Sequence, residues 1–142
     1  MIAAVLAGAS VCIAAGLLYA RRRLLIVTVT GTSMEPAYRH GDRLLARRSR
    51  PRRVKVGEVV VLSPPPTDSS SLQMLKRVAA VSGDPVPPEL AGRHDTTQGV
   101  VPHGYLAVLG DNTLESADSR LFGFLPASRV SAVVLRRLGR SP

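Results

Sequence analysis

The pattern of apolar positions divides the chain into one long run and a series of short ones. From Ile2 to Ala20, nineteen residues pass without a charged side chain. A helix rises about 1.5 Å per residue, so this run would cross most of the roughly 30 Å hydrocarbon core of a bilayer. A cleaved signal peptide is the alternative, but no basic segment precedes the run, and Leu18 stands where a cleavage site requires a small residue. We therefore predict an uncleaved transmembrane helix.

Short apolar segments of strand length follow this helix and predict a β domain. The first, residues 24–30, is rich in β-branched side chains. No part of the chain beyond residue 23 shows a sustained period of 3.6 residues with capping residues, as an amphipathic helix would. We therefore divide the chain into an anchor with its basic flank, residues 1–23, and one mainly β domain, residues 24–142. The further strand-like segments, separated by Gly, Pro and Ser, are residues 42–48, 57–63, 72–81, 104–110 and 129–138.

Two segments between these strands are predicted to be surface loops. Residues 63–71, "SPPPTDSSS", contain three prolines, which cannot donate hydrogen bonds within a central strand. Residues 85–104 are polar and rich in Pro and Gly, a composition typical of turns.

The charge of the chain favours anionic partners. It has 19 basic and 10 acidic residues, a formal net charge of +9. Arg21–Arg23 directly follow the apolar run, where guanidinium groups can contact lipid phosphates. A second basic segment, residues 46–55, has no aromatic side chain that could stack on bases. We predict membrane lipids as partners and no nucleic acid, with nucleic-acid binding kept as a minor alternative.

Residue types that bind metals or form disulfides are sparse. Cys12 is the single cysteine and lies inside the apolar run, which excludes a disulfide framework. His40, His94 and His103 have loop-like neighbours and lack the spacing of a metal site, and they give little support to a histidine-based triad. We predict no metal and no cofactor.

Lysine is rare in this basic chain, which singles out Lys76. Only Lys55 and Lys76 are lysines, and the remaining basic residues are arginines. A guanidinium keeps its proton in proteins, whereas a desolvated amine can act as a neutral base. Lys76 is therefore a candidate base for a serine nucleophile, or else a lysine that extends from a strand into solvent. The residue pattern alone leaves these two interpretations even.

Three segments resemble the conserved boxes of the type I signal peptidases. They are "GTSMEP" at 31–36, "LKRVAAVSGD" at 75–84 and "LGDNTLESADSRLFGFLP" at 109–126, in the family's order behind an apolar N-terminal segment. Together with "VKVGEVVVLSPP" at 54–65, which resembles another family box, they cover most of the chain beyond the anchor. The resemblance implies a signal-peptidase-like fold of short antiparallel strands.

The resemblance also implies catalytic roles. Ser33 matches the nucleophile, Lys76 the general base and Ser116 the serine that orients the lysine. The oxyanion hole would use the backbone N–H of Ser33 and of Gly31, where many relatives have a serine in place of the glycine. A supporting shell would be formed by an ion pair and by the residues around Ser116, namely Arg77, Asp111, Asp118 and Arg120.

The implied substrate pocket is apolar and accepts small side chains. It therefore favours cleavage after small-x-small sequences such as Ala-x-Ala in exported preproteins. Tyr38 lies in "PAY" where the family more often has P-T-L, and Ser82 replaces a proline in "VSGD", so specificity is where this chain departs from the family pattern. The residues that match the pocket are Val27, Val29, Met34, Tyr38, Met74 and Leu75.

These features predict a membrane-bound serine endopeptidase that removes signal peptides. One alternative is a dedicated maturation protease of the same family that cuts one precursor, in the cytoplasm or outside it, and another is an inactive basic membrane-binding module. We expect a single-pass protein of the cell membrane with its catalytic domain outside the cytoplasm, because precursors are cleaved after translocation. Arg21–Arg23 oppose this topology, since basic residues beside a span favour the cytoplasmic side.

Overall fold

One helix, α1 (Ile2–Arg23), opens the fold and runs directly into the first strand. The computed structural model describes residues 2–49, 54–64, 73–92 and 99–140. The helix extends beyond the apolar run because Arg21–Arg23 continue its last turn, where positive charge is favourable at the negative end of the helix dipole. Within the described ranges, no helix combines the length and the apolarity that a membrane crossing requires. The structure therefore does not confirm the predicted transmembrane role of α1.

Within the described residues, the chain after α1 forms a single sheet of seven strands, all paired antiparallel, which confirms the mainly β prediction. The strands are β1 (Leu24–Thr28), β2 (Asp42–Arg48), β3 (Val59–Leu62), β4 (Met74–Val81), β5 (Tyr105–Leu109), β6 (Leu125–Pro126) and β7 (Val130–Arg140). In spatial order they run β1-β2-β7-β3-β4-β5-β6. A short helix, α2 (Ser119–Phe122), and the 3₁₀ turns Pro88–Leu90 and Ala127–Arg129 interrupt the connections.

The core lies on both faces of the central strand, β3. All four residues of β3 are buried, and alternate side chains point to opposite faces of the sheet. Val60 and Leu62 pack into the larger cluster with residues of β4, β5 and β7, while Val61 packs with Ala46 and Ala132 on the other face. This second face supports the candidate site, because side chains of β1 and β4 pack against the same small cluster.

The two predicted surface loops have different outcomes. Of residues 63–71, those from 65 onward lie outside the described residues. In the segment 85–104, residues 93–98 also lie outside the described residues. Pro87 is buried, and Leu90 and Val101 are fully buried in a core cluster with Ala80 and Ala107, so the prediction of a surface loop is wrong at these three positions. The Pro- and Gly-rich composition marks the turns correctly, but single apolar side chains between the turns can still reach the core.

Candidate active site

Ser33 lies in the connection between β1 and β2, which we call the nucleophile loop (residues 29–41). Its base is closed by two backbone hydrogen bonds, from Val29 N–H to Asp42 O and from Gly41 N–H to Val29 O, both 2.9 Å long. Gly31 has φ +87°, a left-handed conformation that glycine adopts without strain. Met34 is 1% exposed and anchors the loop in the interior, so the half-buried Ser33 beside it is fixed relative to the sheet.

Lys76 comes from β4, and its register places it opposite Val60 of the buried strand β3. The side chain is only 4% exposed, and Nζ donates a hydrogen bond of 3.0 Å to Ser116 Oγ. Burial lowers the pKa of Lys76 below the ordinary lysine value. The negative charge of Asp118 opposes this shift, and the positive charge of Arg120 adds to it. The environment therefore favours a neutral amine more than water does.

Asp118 organises the contacts behind Lys76. Ser116 Oγ donates to Asp118 Oδ2 at 2.8 Å, which leaves a Ser116 lone pair to accept from Lys76 Nζ. The fully buried Asp118 carboxylate also accepts from Gly110 N–H, from Arg120 N–H and from the Arg120 guanidinium, at 2.6–3.1 Å. Burial alone would raise the pKa of Asp118, but hydrogen bonds from Arg120, Gly110 and Ser116 outweigh it and hold that pKa at about 2.

The segment after β5, residues 110–118, docks onto the nucleophile loop. Asn112 N–H donates to Ser33 O at 3.0 Å, and the Asn112 side-chain amide donates to Thr32 O at 3.2 Å. The approach is close enough that a Cβ on Gly110 would lie 2.1 Å from Ser116 Oγ and 2.7 Å from Ser33 O. Only glycine fits at position 110 without moving one of these two serines.

Arg77 and Asp111 form a two-pronged ion pair at the side of the site. Arg77 Nε donates to Asp111 Oδ1 at 2.9 Å, and Nη2 donates to Oδ2 at 2.7 Å, while Nη1 reaches Gly57 O. The hydrogen bonds with Asp111 raise the pKa of Arg77, and Tyr38 contributes a smaller electrostatic part of that shift. The pair ties β4 to the segment after β5, next to Lys76 on β4.

An open cleft of about 250 Å³ contains both Ser33 and Lys76. Five of the six residues predicted from the resemblance as substrate pocket line it, and Tyr38 is not among the lining residues. Val61, which sequence reasoning missed, is a further apolar residue of the lining. In the described part of the sheet β1 is an edge strand, paired with β2 along one side only, and it forms one wall of the cleft. The complete lining is Val27, Thr28, Val29, Thr30, Ser33, Met34, Val61, Gln73, Met74, Leu75 and Lys76.

The Gly31 backbone N–H, predicted as an oxyanion donor, contacts a side chain that the sequence did not single out for this purpose. It donates to His40 Nδ1 at 3.2 Å. Asp42, which was also missed, is 2% exposed and accepts from Arg39 N–H and from Arg137, each at 3.0 Å. The hydrogen bond from Arg39 N–H, partly opposed by burial and reinforced by Arg137, lowers the pKa of Asp42. No sequence pattern joins His40 to Gly31.

Comparison with known proteins identifies the family of this chain. The family model described as "Signal peptidase, peptidase S26" matches residues 2–92 and 87–138. The chain belongs to the signal peptidase family. It is therefore a protease of the signal peptidase type, and its sheet presents Ser33 and Lys76 in one cleft.

Named relatives of this family member are mitochondrial proteins. The mitochondrial inner membrane protease subunit 1 of Xenopus tropicalis is 32% identical over 119 residues, which cover 80% of this chain and 68% of the relative. The Schizosaccharomyces pombe protein of the same name is 34% identical over 121 residues, covering 80% and 72%. The mitochondrial ATP-independent inner membrane protease subunit 1b of Arabidopsis thaliana is 36% identical over 115 residues, covering 76% and 66%. The chain thus spans about two thirds of the length of these relatives.

Proposed function

We propose that this chain is a Ser-Lys endopeptidase that cleaves exported precursors after small-x-small sequences, with Ser33 as nucleophile and Lys76 as general base. The observation that carries the proposal is the environment of Lys76. Its amine is nearly inaccessible to solvent, its pKa is lowered, and it lies in the same cleft as Ser33. A surface lysine has none of these properties, so the solvent-facing interpretation of Lys76 loses its support.

The chemistry begins with acylation of the serine. Lys76 takes the proton from Ser33 Oγ as that oxygen attacks the carbonyl carbon of the scissile peptide bond. The carbonyl oxygen becomes an oxyanion, and the Ser33 N–H is a candidate donor to it. Gly31 N–H, predicted as the second donor, donates instead to His40 Nδ1 in the structure. When the tetrahedral intermediate collapses, Lys76 gives its proton to the leaving amine.

Water completes the cycle by hydrolysing the Ser33 ester. Lys76, now neutral again, removes a proton from the attacking water and returns it to Ser33 Oγ as the acyl group leaves. Ser116 orients the amine in both half-reactions, because its hydroxyl is already committed as a donor to Asp118 and presents a lone pair to Lys76 Nζ. Asp118 stays ionised throughout, since its pKa of about 2 lies far below any working pH.

The cleft suits an extended peptide with small side chains. The free edge of β1 can pair with a substrate strand through backbone hydrogen bonds, which leaves alternate substrate side chains facing the apolar lining. Val27, Val29 and Leu75 narrow the space available to those side chains. A volume of about 250 Å³ accommodates alanine-sized groups with the backbone between them, which supports an Ala-x-Ala type of preference.

Membrane attachment through α1 belongs to the same proposal. The relatives are named as inner membrane proteases, and the apolar residues of α1 followed by Arg21–Arg23 match an anchor with a basic flank. We place the catalytic domain outside the cytoplasm of a single-pass protein. We expect the membrane-bound protein to resist alkaline extraction. We also expect protease added to spheroplasts to digest the catalytic domain. A protected domain in intact spheroplasts contradicts this arrangement.

Substitution of the two lysines tests the mechanism directly. Purified full-length protein in detergent is mixed with a precursor peptide that contains an Ala-x-Ala site, and the products are identified by mass spectrometry. We expect Ser33→Ala and Lys76→Arg to abolish cleavage, the latter although it keeps the positive charge, because arginine cannot act as the base. The exposed Lys55 provides the matched control, and Lys55→Arg should leave turnover unchanged. Near-normal turnover by Lys76→Arg refutes the Ser-Lys mechanism.

A dedicated maturation protease is the second candidate function. The observation in its favour is that the relatives are named as subunits of one particular protease of the mitochondrial inner membrane. Tests with a panel of precursors separate the two candidates. A general signal peptidase cleaves many Ala-x-Ala precursors at comparable rates, whereas a dedicated enzyme cleaves one and leaves the others intact.

A further inference from the structure

We propose that His40 is a positioning residue for the nucleophile, holding the Gly31–Ser33 turn in its working conformation through the hydrogen bond from Gly31 N–H to His40 Nδ1. This inference rests on the proposed role of Ser33. His40 takes no part in the chemistry itself. It acts through the backbone two residues before the nucleophile, where the chain makes its left-handed turn.

The backbone at His40 is anchored well enough to transmit this restraint. Its neighbour Gly41 donates to Val29 O, and Asp42 is bound through both its backbone and its buried carboxylate. Asp42 N–H donates to Arg39 O, while the carboxylate accepts from Arg39 N–H and from Arg137 of β7. The ring of His40 therefore extends from a segment fixed to the sheet and reaches across the nucleophile loop to Gly31.

The carbonyl groups of the turn are held by other residues, whereas the Gly31 N–H is held by His40. Thr32 O and Ser33 O accept from Asn112, and Thr32 O also accepts from Glu35 N–H. These contacts fix the carbonyl groups of the turn. Within the described residues, the contact recorded for the Gly31 N–H is the one with His40 Nδ1. If this hydrogen bond were lost, the backbone at Gly31 could rotate while the carbonyl groups of Thr32 and Ser33 stayed bound to Asn112. The direction of Ser33 Oγ relative to Lys76 would then change.

The hydrogen bond also specifies the protonation state of the ring. To accept from Gly31 N–H, Nδ1 must carry no proton, so the imidazole is neutral with its proton on Nε2. A second proton would set two N–H groups against each other and break the contact.

Two substitutions separate this positioning role from a merely structural one. His40→Ala removes the acceptor, and we expect kcat to fall roughly three- to tenfold with little change in KM, since neither His40 nor Gly31 lines the cleft. His40→Asn places an amide oxygen where Nδ1 stood, and it should restore most of kcat. His103→Ala changes another exposed histidine, outside the site, and should match the wild type.

The measurement is cleavage of an Ala-x-Ala peptide by the full-length protein in detergent, with kcat and KM determined for each variant. Wild-type kcat in His40→Ala, or an Asn variant as poor as the Ala variant, overturns the proposal. A rise in kcat for His40→Ala also overturns it, since His40 would then be a brake that withholds Gly31 N–H from the oxyanion.

A spectroscopic measurement distinguishes failure of this inference from failure of the proposed function. In protein labelled with ¹⁵N-glycine, the Gly31 amide signal should move in His40→Ala and return close to its wild-type position in His40→Asn. This readout does not depend on cleavage. If the wild type cleaves no precursor but the Gly31 signal moves in His40→Ala and returns in His40→Asn, the protease proposal fails while the contact stands. If the Gly31 signal is the same in the wild type and in His40→Ala, the positioning role is refuted, whatever the activity of the two proteins.

Discussion

Replacing Gly110 by alanine should separate the two halves of the site without touching any reacting group. The added Cβ would lie 2.1 Å from Ser116 Oγ, 2.5 Å from Ser116 Cβ and 2.7 Å from Ser33 O. A new rotamer of Ser116 could move its Oγ but not its Cβ, and Ser33 O belongs to the backbone. The segment after β5 must therefore retreat from the nucleophile loop, by roughly 1 Å to restore van der Waals contact distances.

This displacement acts on both catalytic partners at once. Ser116 holds Lys76 Nζ, and the Ser33 carbonyl is held by Asn112 N–H, so the amine and the nucleophile move relative to each other. Misplacement of this size commonly costs about 100-fold in rate, and we expect kcat to fall by about that factor. KM should change little because Gly110 does not line the cleft. Overpacking should also reduce the free energy of unfolding by about 1–3 kcal/mol.

Cleavage kinetics with an Ala-x-Ala peptide and urea unfolding in detergent measure the two effects separately. Gly16→Ala on α1 is the matched control, since the same added Cβ meets no atom within 4 Å there. Adding Ser116→Gly to Gly110→Ala removes two of the three close contacts and should recover part of the stability but none of the activity. Wild-type kcat in Gly110→Ala would show that the two segments are not packed as closely as the structure indicates.

Two further predictions concern the groups behind Lys76. Ser116→Ala should lower kcat by about tenfold or more and leave the fold intact in a thermal melt, because Asp118 keeps its hydrogen bonds from Gly110 and Arg120; unchanged kcat would remove Ser116 from the mechanism. Asp118→Asn should destabilise the domain by about 3 kcal/mol in urea unfolding, since it breaks a buried ion pair with Arg120. The pKa of Asp118 is about 2 in the folded state against an ordinary 3.8. The carboxylate therefore contributes to the free energy of unfolding above about pH 4, and this contribution is lost as the pH falls toward 2. In Asp118→Asn, the free energy of unfolding should depend less on pH in that window.

Strand positions could be predicted because their cause is local. The β-branched run at residues 24–30 contains β1 (Leu24–Thr28), and the segment 72–81 contains β4 (Met74–Val81). β6 (Leu125–Pro126) was missed, since two residues carry no periodicity and form a strand only by pairing with β5. Leu90 was missed for a related reason: its burial depends on Ala80 and Ala107, which are distant in sequence.

The candidate site likewise contains residues that could be predicted from the sequence and contacts that could not. Lys76 could be singled out by its residue type, because the chemistry requires an amine and the chain contains few. Asn112 and His40 could not be assigned their contacts, since each one depends on how a loop folds back against another segment. The bond from Asn112 to Ser33 joins residues 79 positions apart in numbering, and the bond from Gly31 to His40 closes a loop whose shape no local pattern reveals. The residue types needed for the chemistry could thus be predicted from the sequence, while the contacts that orient them could be found only from the folded structure.

The junction between α1 and β1 has a mechanical consequence. The helix ends at Arg23 and the strand begins at Leu24, so no linker separates them, and β1 forms one wall of the cleft. Five residues of strand rise by roughly 17 Å, which sets how far the cleft stands from the end of the helix. Whatever surface holds α1 therefore also sets the height at which peptides are cut. The length of β1 thus sets the distance between the end of the helix and the cleft. Extra residues inserted between Arg23 and Leu24 would make that distance variable while every catalytic contact remained in place.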